Sequence, residues 1–209
     1  MSGMLVTIEG GEGAGKTTQL RKLAENLTGR GHDVLCTREP GGAPGAEALR
    51  QFLLGMDHGL SLRAEAMVHF AARIDHVDQA IRPALQAGRI VLCDRFSDST
   101  LAYQGYGLGL GDPGILAFID QLATLIDVQP RLTLVLDLPR AEGHRRLQRR
   151  GGAGDRYEAL DEAFHARIEE GFRIIARQAP RRCLLVSALG SVEAVHQRLL
   201  AALEPLLPR

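Results

Sequence analysis

A glycine-rich stretch near the N-terminus carries the residues best suited to handling phosphate. Gly10-Gly11-Glu12-Gly13-Ala14-Gly15-Lys16-Thr17 follows a short apolar run and satisfies the spacing G-x-x-x-x-G-K-[ST]. Glycines let the backbone curl with its N–H groups facing an anion, and a helix starting near Lys16 adds the positive end of its dipole. Lys16 is expected to reach the β- and γ-phosphates of ATP, and the Thr17 hydroxyl to coordinate Mg²⁺. Thr18 extends the same cradle. In a chain of this composition the pattern would arise by chance about two times in a thousand.

Charged residues close other apolar runs in the same way. The run at 90–93 is followed by Asp94-Arg95. An Asp at the carboxyl end of a buried strand beside the cradle is placed to reach the metal or its water shell. Arg95 points a rigid fork, suited to phosphate, at the same crevice. Thr37-Arg38-Glu39-Pro40-Gly41-Gly42 ends an earlier run similarly. In the helical stretch 65–73, Phe70 and Arg73 are three apart and share a face, an aromatic platform beside a donor fork. Taken alone, Phe70 reads first as a core ring.

Further on, Arg140, Arg145, Arg146, Arg149 and Arg150 precede Gly151-Gly152-Ala153-Gly154 and Asp155-Arg156. Most of these arginines read as a solvated helix face. At helical spacing two of them can still reach phosphate together, and the glycine cluster reads as the hinge of a lid at about 140–157. Gly13 leaves Lys16 as the cradle's only side-chain cation. Arg149, Arg150 and Arg156 are therefore the candidates to meet charge on a transferring phosphoryl group.

Short continuous apolar runs at 4–8, 34–37, 90–93, 132–136 and 183–186 read as buried parallel strands. Helical patterns lie between them at about 16–30, 45–54, 61–87, 113–126, 140–149, 158–177 and 191–206. The alternation predicts a doubly wound α/β fold, a five-stranded parallel sheet with helices on both faces, in one domain over 1–209. The stretch 105–114 reads as a plain connection.

Composition narrows the function. Lys+Arg and Asp+Glu are both 25, so no basic field favours nucleic acid or a membrane surface. No apolar run approaches the roughly 20 residues of a membrane span, and the N-terminus lacks a signal peptide's pattern. Cys36, Cys93 and Cys183 each lie in an apolar run and read as reduced core residues of a cytoplasmic protein. Seven His show no zinc spacing. A GTPase switch is excluded: the only Asn, Asn26, precedes Leu27, and no Asp stands three before a Gly.

Five segments resemble bacterial thymidylate kinases in order and spacing. They are 9–18, 37–42, 70–73, Asp94-Arg95-Phe96-Ser97-Asp98-Ser99-Thr100-Leu101-Ala102-Tyr103-Gln104-Gly105, and Asp155-Arg156-Tyr157-Glu158. The segment from Asp94 to Gly105 is the most specific of these, since generic P-loop kinases lack it. The resemblance is to the type with arginines in the lid rather than the P-loop. It implies ATP + dTMP → ADP + dTDP with Mg²⁺, in dTTP biosynthesis, by a homodimer. It further implies that Arg95 and Arg50 hold the dTMP phosphate, that Arg73 meets a thymine carbonyl, and that Phe70 stacks on the base. Thr100 and Gln104 would face the base's polar edge, Tyr103 would crowd the sugar's 2′ position, and Glu12 and Glu39 would lie near sugar and metal. Pro40 and Ser99 complete the implied acceptor site. The family's stacking Phe stands four residues before the Arg, a place held here by His69. Another small P-loop kinase, or a non-catalytic nucleotide-binding module, are the competing readings.

Overall fold

The structure, a computed structural model, describes residues 3–55, 59–151 and 156–207, apart from the side chain of Arg150. Five strands form one parallel sheet: β1 (Met4–Gly10), β2 (Val34–Arg38), β3 (Ile90–Asp94), β4 (Leu132–Asp137) and β5 (Cys183–Ser187). Their spatial order is β2-β3-β1-β4-β5. The doubly wound α/β architecture is therefore as the sequence implies. One expectation needs correcting: only the three central strands are buried throughout. The edge strands β2 and β5 mix covered and exposed residues, and Cys36 on β2 is exposed while Cys93 and Cys183 are buried. An edge strand has one neighbour and is covered less completely, so an apolar run alone does not report burial.

The helices are α1 (Lys16–Gly29), α2 (Pro44–Leu54), α3 (Leu62–His76), α4 (Arg82–Gln86), α5 (Ser97–Thr100), α6 (Pro113–Ala123), α7 (Arg140–Arg150), α8 (Glu162–Gln178) and α9 (Val192–Leu203). Several starts are written in side chains. Asp112 accepts from Ile115 N at 2.9 Å, Asp161 from Phe164 N at 2.7 Å and Ser191 from Ala194 N at 3.1 Å. The Asp161 cap is why α8 begins at Glu162 rather than near 158.

On one face of the sheet, Val6, Ile8, Leu92 and Leu134 pack against Leu23 and Leu27 of α1 and Leu199 of α9. On the other, Leu5, Val91 and Cys93 pack against Ala66 and Phe70 of α3, with Ile81, Phe96 and Ile119. Burying one such Leu or Phe contributes about 1.5–3 kcal/mol. These two layers clamp β1 and β3, whose carboxyl ends carry the cradle and Asp94.

The stretch 61–87 is not one regular helix. A π-helical segment, Val77–Ile81, joins α3 to α4, ahead of Pro83, which has no N–H to offer a regular turn. The stretch 105–114 is not a plain connection either: π-helical Leu101–Leu108 continues α5 before the chain turns into α6. Gly105 and Gly107 hide this helix from propensity reasoning. Their role is close approach, since a Cβ on Gly105 would lie 2.8 Å from Leu116 and one on Gly107 2.7 Å from Phe164.

Candidate active site

The cradle is the turn between β1 and α1. Gly15, left-handed at φ 89, carries the chain into α1 at Lys16. Lys16 is buried, and its Nζ donates to Gly10 O at 3.1 Å and Gly11 O at 2.8 Å, arching over the loop. Burial, together with the Arg95 charge, lowers its pKa. Register sets Ile8 of β1 beside Asp94 of β3, and the Thr17 hydroxyl donates to Asp94 Oδ2 at 2.7 Å. Gly13 has φ 75, and a Cβ there would collide with the Gly143 carbonyl of α7. Its lack of a side chain is thus a packing requirement where α7 meets the loop.

Beside the cradle is a cleft lined by Glu12, Glu39, Pro40, Arg50, Leu54, His69, Arg73, Arg95, Phe96, Ser99, Thr100, Tyr103, Gln104 and Tyr157. Arg95 stands at its inner end. Its Nη1 donates to Gly10 O and Ser99 Oγ, both at 3.1 Å, and its Nη2 to Glu12 Oε1 at 2.5 Å and Tyr103 OH at 2.9 Å. Its backbone is left-handed, φ 71, a strained setting for Arg. Glu9, fully buried, holds that turn by accepting from Phe96 N at 2.7 Å and Ser99 Oγ at 2.5 Å. Burial and the nearby Asp98 charge push the Glu9 carboxyl up to about 8. Burial acts the same way on Glu12, but Arg95, Lys16 and the Tyr103 hydroxyl overcome it and bring that carboxyl down to about 2.

At the cleft's other end Arg73 is 3% exposed. Its Nε donates to Glu39 Oε2 at 2.6 Å and its Nη2 to Thr100 Oγ1 at 3.1 Å, while its Nη1 has no partner among the described residues. A buried unpaired donor costs about 1–3 kcal/mol, so this one fits a ligand's acceptor. Arg50 Nη1 donates to Pro40 O at 2.7 Å, at the mouth. The other Glu39 oxygen, Oε1, lies 3.0 Å from His76 Nδ1, and His76 Nε2 lies 2.7 Å from Thr37 Oγ1. Glu39, His76 and Cys93 cluster closely, but these contacts engage both His76 nitrogens.

One implied placement is corrected. Phe70 does not line the cleft; it is 2% exposed in the core, with the Arg73 guanidinium 4.6 Å from its ring centroid. His69 lines the wall instead, with Nε2 3.1 Å from Tyr157 OH. Neighbours on a helix point about 100° apart, so one step along α3 exchanges wall for core.

Comparison with known proteins decides what this arrangement belongs to. Residues 8–199 match the family described as thymidylate kinase. A Gluconobacter oxydans thymidylate kinase is 56% identical over 200 residues, covering 96% of this chain and 94% of its own. One from Rhizorhabdus wittichii is 50% identical, with both chains covered completely. The crystal structure of thymidylate kinase from Ehrlichia chaffeensis superposes with a TM-score of 0.77 at 36% identity, covering 98% of this chain and 99% of that one. The chain belongs to the thymidylate kinase family. It is a kinase, an ATP-dependent phosphotransferase.

In this thymidylate kinase family member a second groove runs from the cradle along α7 and α9. Glu12, residues 13–19, Arg38, Asp94, Glu142, Arg146, Leu147, Arg149, Glu158, Gly190, Ser191, Val192 and Val195 line it. Arg149 thus lines the same groove as Lys16 and Thr17. Arg146 lines the groove too, held by Glu142 Oε1 and by Ala188 O, each within 3.1 Å. Arg156 goes elsewhere: its Nη1 donates to Glu65 Oε2 at 3.0 Å, behind the acceptor cleft. The Arg150 side chain, residues 152–154 of the hinge expected at 151–154, and Asp155 fall outside the described residues. The sequence alone gave no role to Glu9, Glu65 or Tyr157 at the cleft, nor to Gly190-Ser191-Val192 at the groove, whereas His69 at the family's stacking place and Arg146 among the helix arginines stood as alternatives.

Proposed function

We infer that this chain transfers the γ-phosphoryl group of ATP to dTMP, giving ADP and dTDP for dTTP biosynthesis. The observation that carries the reading is the cleft's polarity: an unpartnered buried Arg73 donor at one end and the Arg95 fork at the other, beside the cradle. A thymine carbonyl and a monoester phosphate answer those two ends. ATP lies in the groove over the cradle, its phosphates on the loop N–H groups and Lys16, with Gly10, Gly11, Ala14 and Thr18 completing the site.

The acceptor phosphate has a second pKa near 6, so it arrives ionised and needs no general base. One of its oxygens forms the bond to the γ-phosphorus as the bond to the β–γ bridging oxygen breaks, and that electron pair leaves with ADP. What the protein supplies is positioning and positive charge. Arg95, with Arg50 at the mouth, offsets repulsion between the two anions. Tyr103 stands against the sugar, and Glu12 and Glu39 flank it. The Thr17 hydroxyl and Asp94 carboxylate are oxygen donors 2.7 Å apart, the ligand class of Mg²⁺, and would hold that ion. When bound it offsets charge on the donor phosphates.

A panel of dTMP, dUMP, dCMP, dGMP and AMP tests this reading. dTMP should exceed dCMP in kcat/KM by at least about tenfold to a hundredfold per mismatched polar group, with dUMP a poorer but real substrate. Similar values for dTMP and dCMP would sink the assignment.

The lid supplies the remaining charge, closing when both nucleotides are present, from the segment at about 140–157 of a single domain. Arg149→Ala should lower kcat by about a hundredfold with KM little changed, the mark of a contact made in the transition state. Arg140, tied to Glu162 at 3.1 Å outside the groove, is the control and should stay within about threefold. If Arg149→Ala also stays within about threefold, Arg149 belongs to a solvated face, and Arg150 or Arg156 is left as the source.

The active species is a cytoplasmic homodimer in this reading. Met67 and Ile74, seven apart on α3, are 55% and 39% exposed, an apolar stripe that a second copy can cover. No helix among the described residues is long and apolar enough to cross a membrane. Sedimentation at micromolar concentration should give twice the 22.7 kDa chain mass; monomer alone would contradict the dimer.

A further inference from the structure

Glu65 stands behind the acceptor cleft, 2% exposed and not part of its wall. Its carboxylate gathers the hydrogen bonds at the base end. Oε1 accepts from the Gln104 amide at 2.9 Å and from the Tyr157 hydroxyl at 2.8 Å, and Oε2 accepts from Arg156 Nη1 at 3.0 Å. A carboxylate paired with a guanidinium only accepts, so the Gln104 atom facing it has to be the amide nitrogen. That nitrogen also lies 2.9 Å from Tyr157 OH and 3.3 Å from His69 Nε2. With the nitrogen committed to the wall behind, the carbonyl oxygen is the end of Gln104 left to meet a cleft occupant.

The cleft then offers the base a donor, Arg73 Nη1, and an acceptor, Gln104 Oε1. Thymine presents the complement: an accepting C4 carbonyl beside a donating N3–H. Cytosine presents the reverse, a donating 4-amino group beside an accepting N3. A Gln amide is indifferent between these until something orients it.

We propose that Glu65 is a positioning residue for substrate choice: by holding the Gln104 amide nitrogen, it fixes which pyrimidine edge the cleft accepts. The inference rests on the dTMP reading above. Glu65→Gln keeps the shape but can donate as well as accept, so both orientations of Gln104 become available. The dTMP-to-dCMP ratio of kcat/KM should fall by at least about tenfold. The loss should sit mainly in KM, because the base contact is the same in ground and transition states, with KM for ATP within about threefold.

A merely structural role would lower both substrates together and leave the ratio unchanged, which would overturn the proposal. The two readings fail separately. Wild-type protein that ignores dTMP defeats the assignment of function, whereas a wild-type preference retained in Glu65→Gln defeats only the role of Glu65. If Glu65→Gln does not fold, equilibrium binding of dTMP and dCMP to Glu65→Ala, which removes the acceptor that holds the amide nitrogen, makes the same comparison. An unchanged binding ratio there counts against the proposal equally.

Discussion

Lys16→Ala should lower kcat by at least about 10²–10³-fold while the protein stays folded, the scale of losing one preorganised charge at a reacting centre. Lys16 arches over the loop on two carbonyl oxygens, Gly10 O and Gly11 O. Its removal also relieves the burial of an ammonium whose pKa is already lowered there, so the thermal midpoint should hold or rise slightly. The measurement is steady-state kinetics beside a melting curve. Near-normal kcat would remove the cradle from the chemistry, and collapse of the fold would recast Lys16 as structural.

Arg95→Ala should act on the other substrate. A charge-assisted hydrogen bond contributes about 1.5–3 kcal/mol, and the guanidinium fork can make two, so kcat/KM for dTMP should fall about 10³-fold. KM for ATP should stay within about threefold. The loss is deepened by Glu12, whose carboxyl is held down to about 2 with Arg95 as its chief stabilising charge, and which would then face the incoming phosphate unshielded. Arg95→Lys keeps the charge but not the fork and should fall in between. Altered ATP binding with dTMP kinetics intact would reassign Arg95 to the donor side.

The parts of this molecule legible in its sequence are those whose signal is local. The cradle is one, because glycine spacing, Lys16 and Thr17 act within eight residues of chain. The central strands are another, because burial on both faces leaves continuous apolar runs. Asp94 was readable as a neighbour of the cradle because β3 pairs directly with β1. Glu9 and Glu65 carried no such signal. Each is a single acid whose meaning comes from partners far along the chain, Ser99 for one and Gln104 and Tyr157 for the other. The exchange of Phe70 for His69 at the cleft wall was only half legible: the family spacing puts His69 at the stacking place, but a one-residue difference in phase along α3 depends on how that helix is rotated against β3. The helix through Gly105 and Gly107 was hidden because the residues that permit its packing are those that weaken helix propensity.

The central claim is phosphoryl transfer from ATP to dTMP, and its most direct test is product analysis. The protein is incubated with ATP, Mg²⁺ and dTMP, and ADP and dTDP are quantified by chromatography over time. dTDP and ADP should appear in equal amounts, with dTDP absent when dTMP is omitted. ADP forming without dTDP, or no turnover of dTMP beside rapid turnover of another monophosphate, would contradict it.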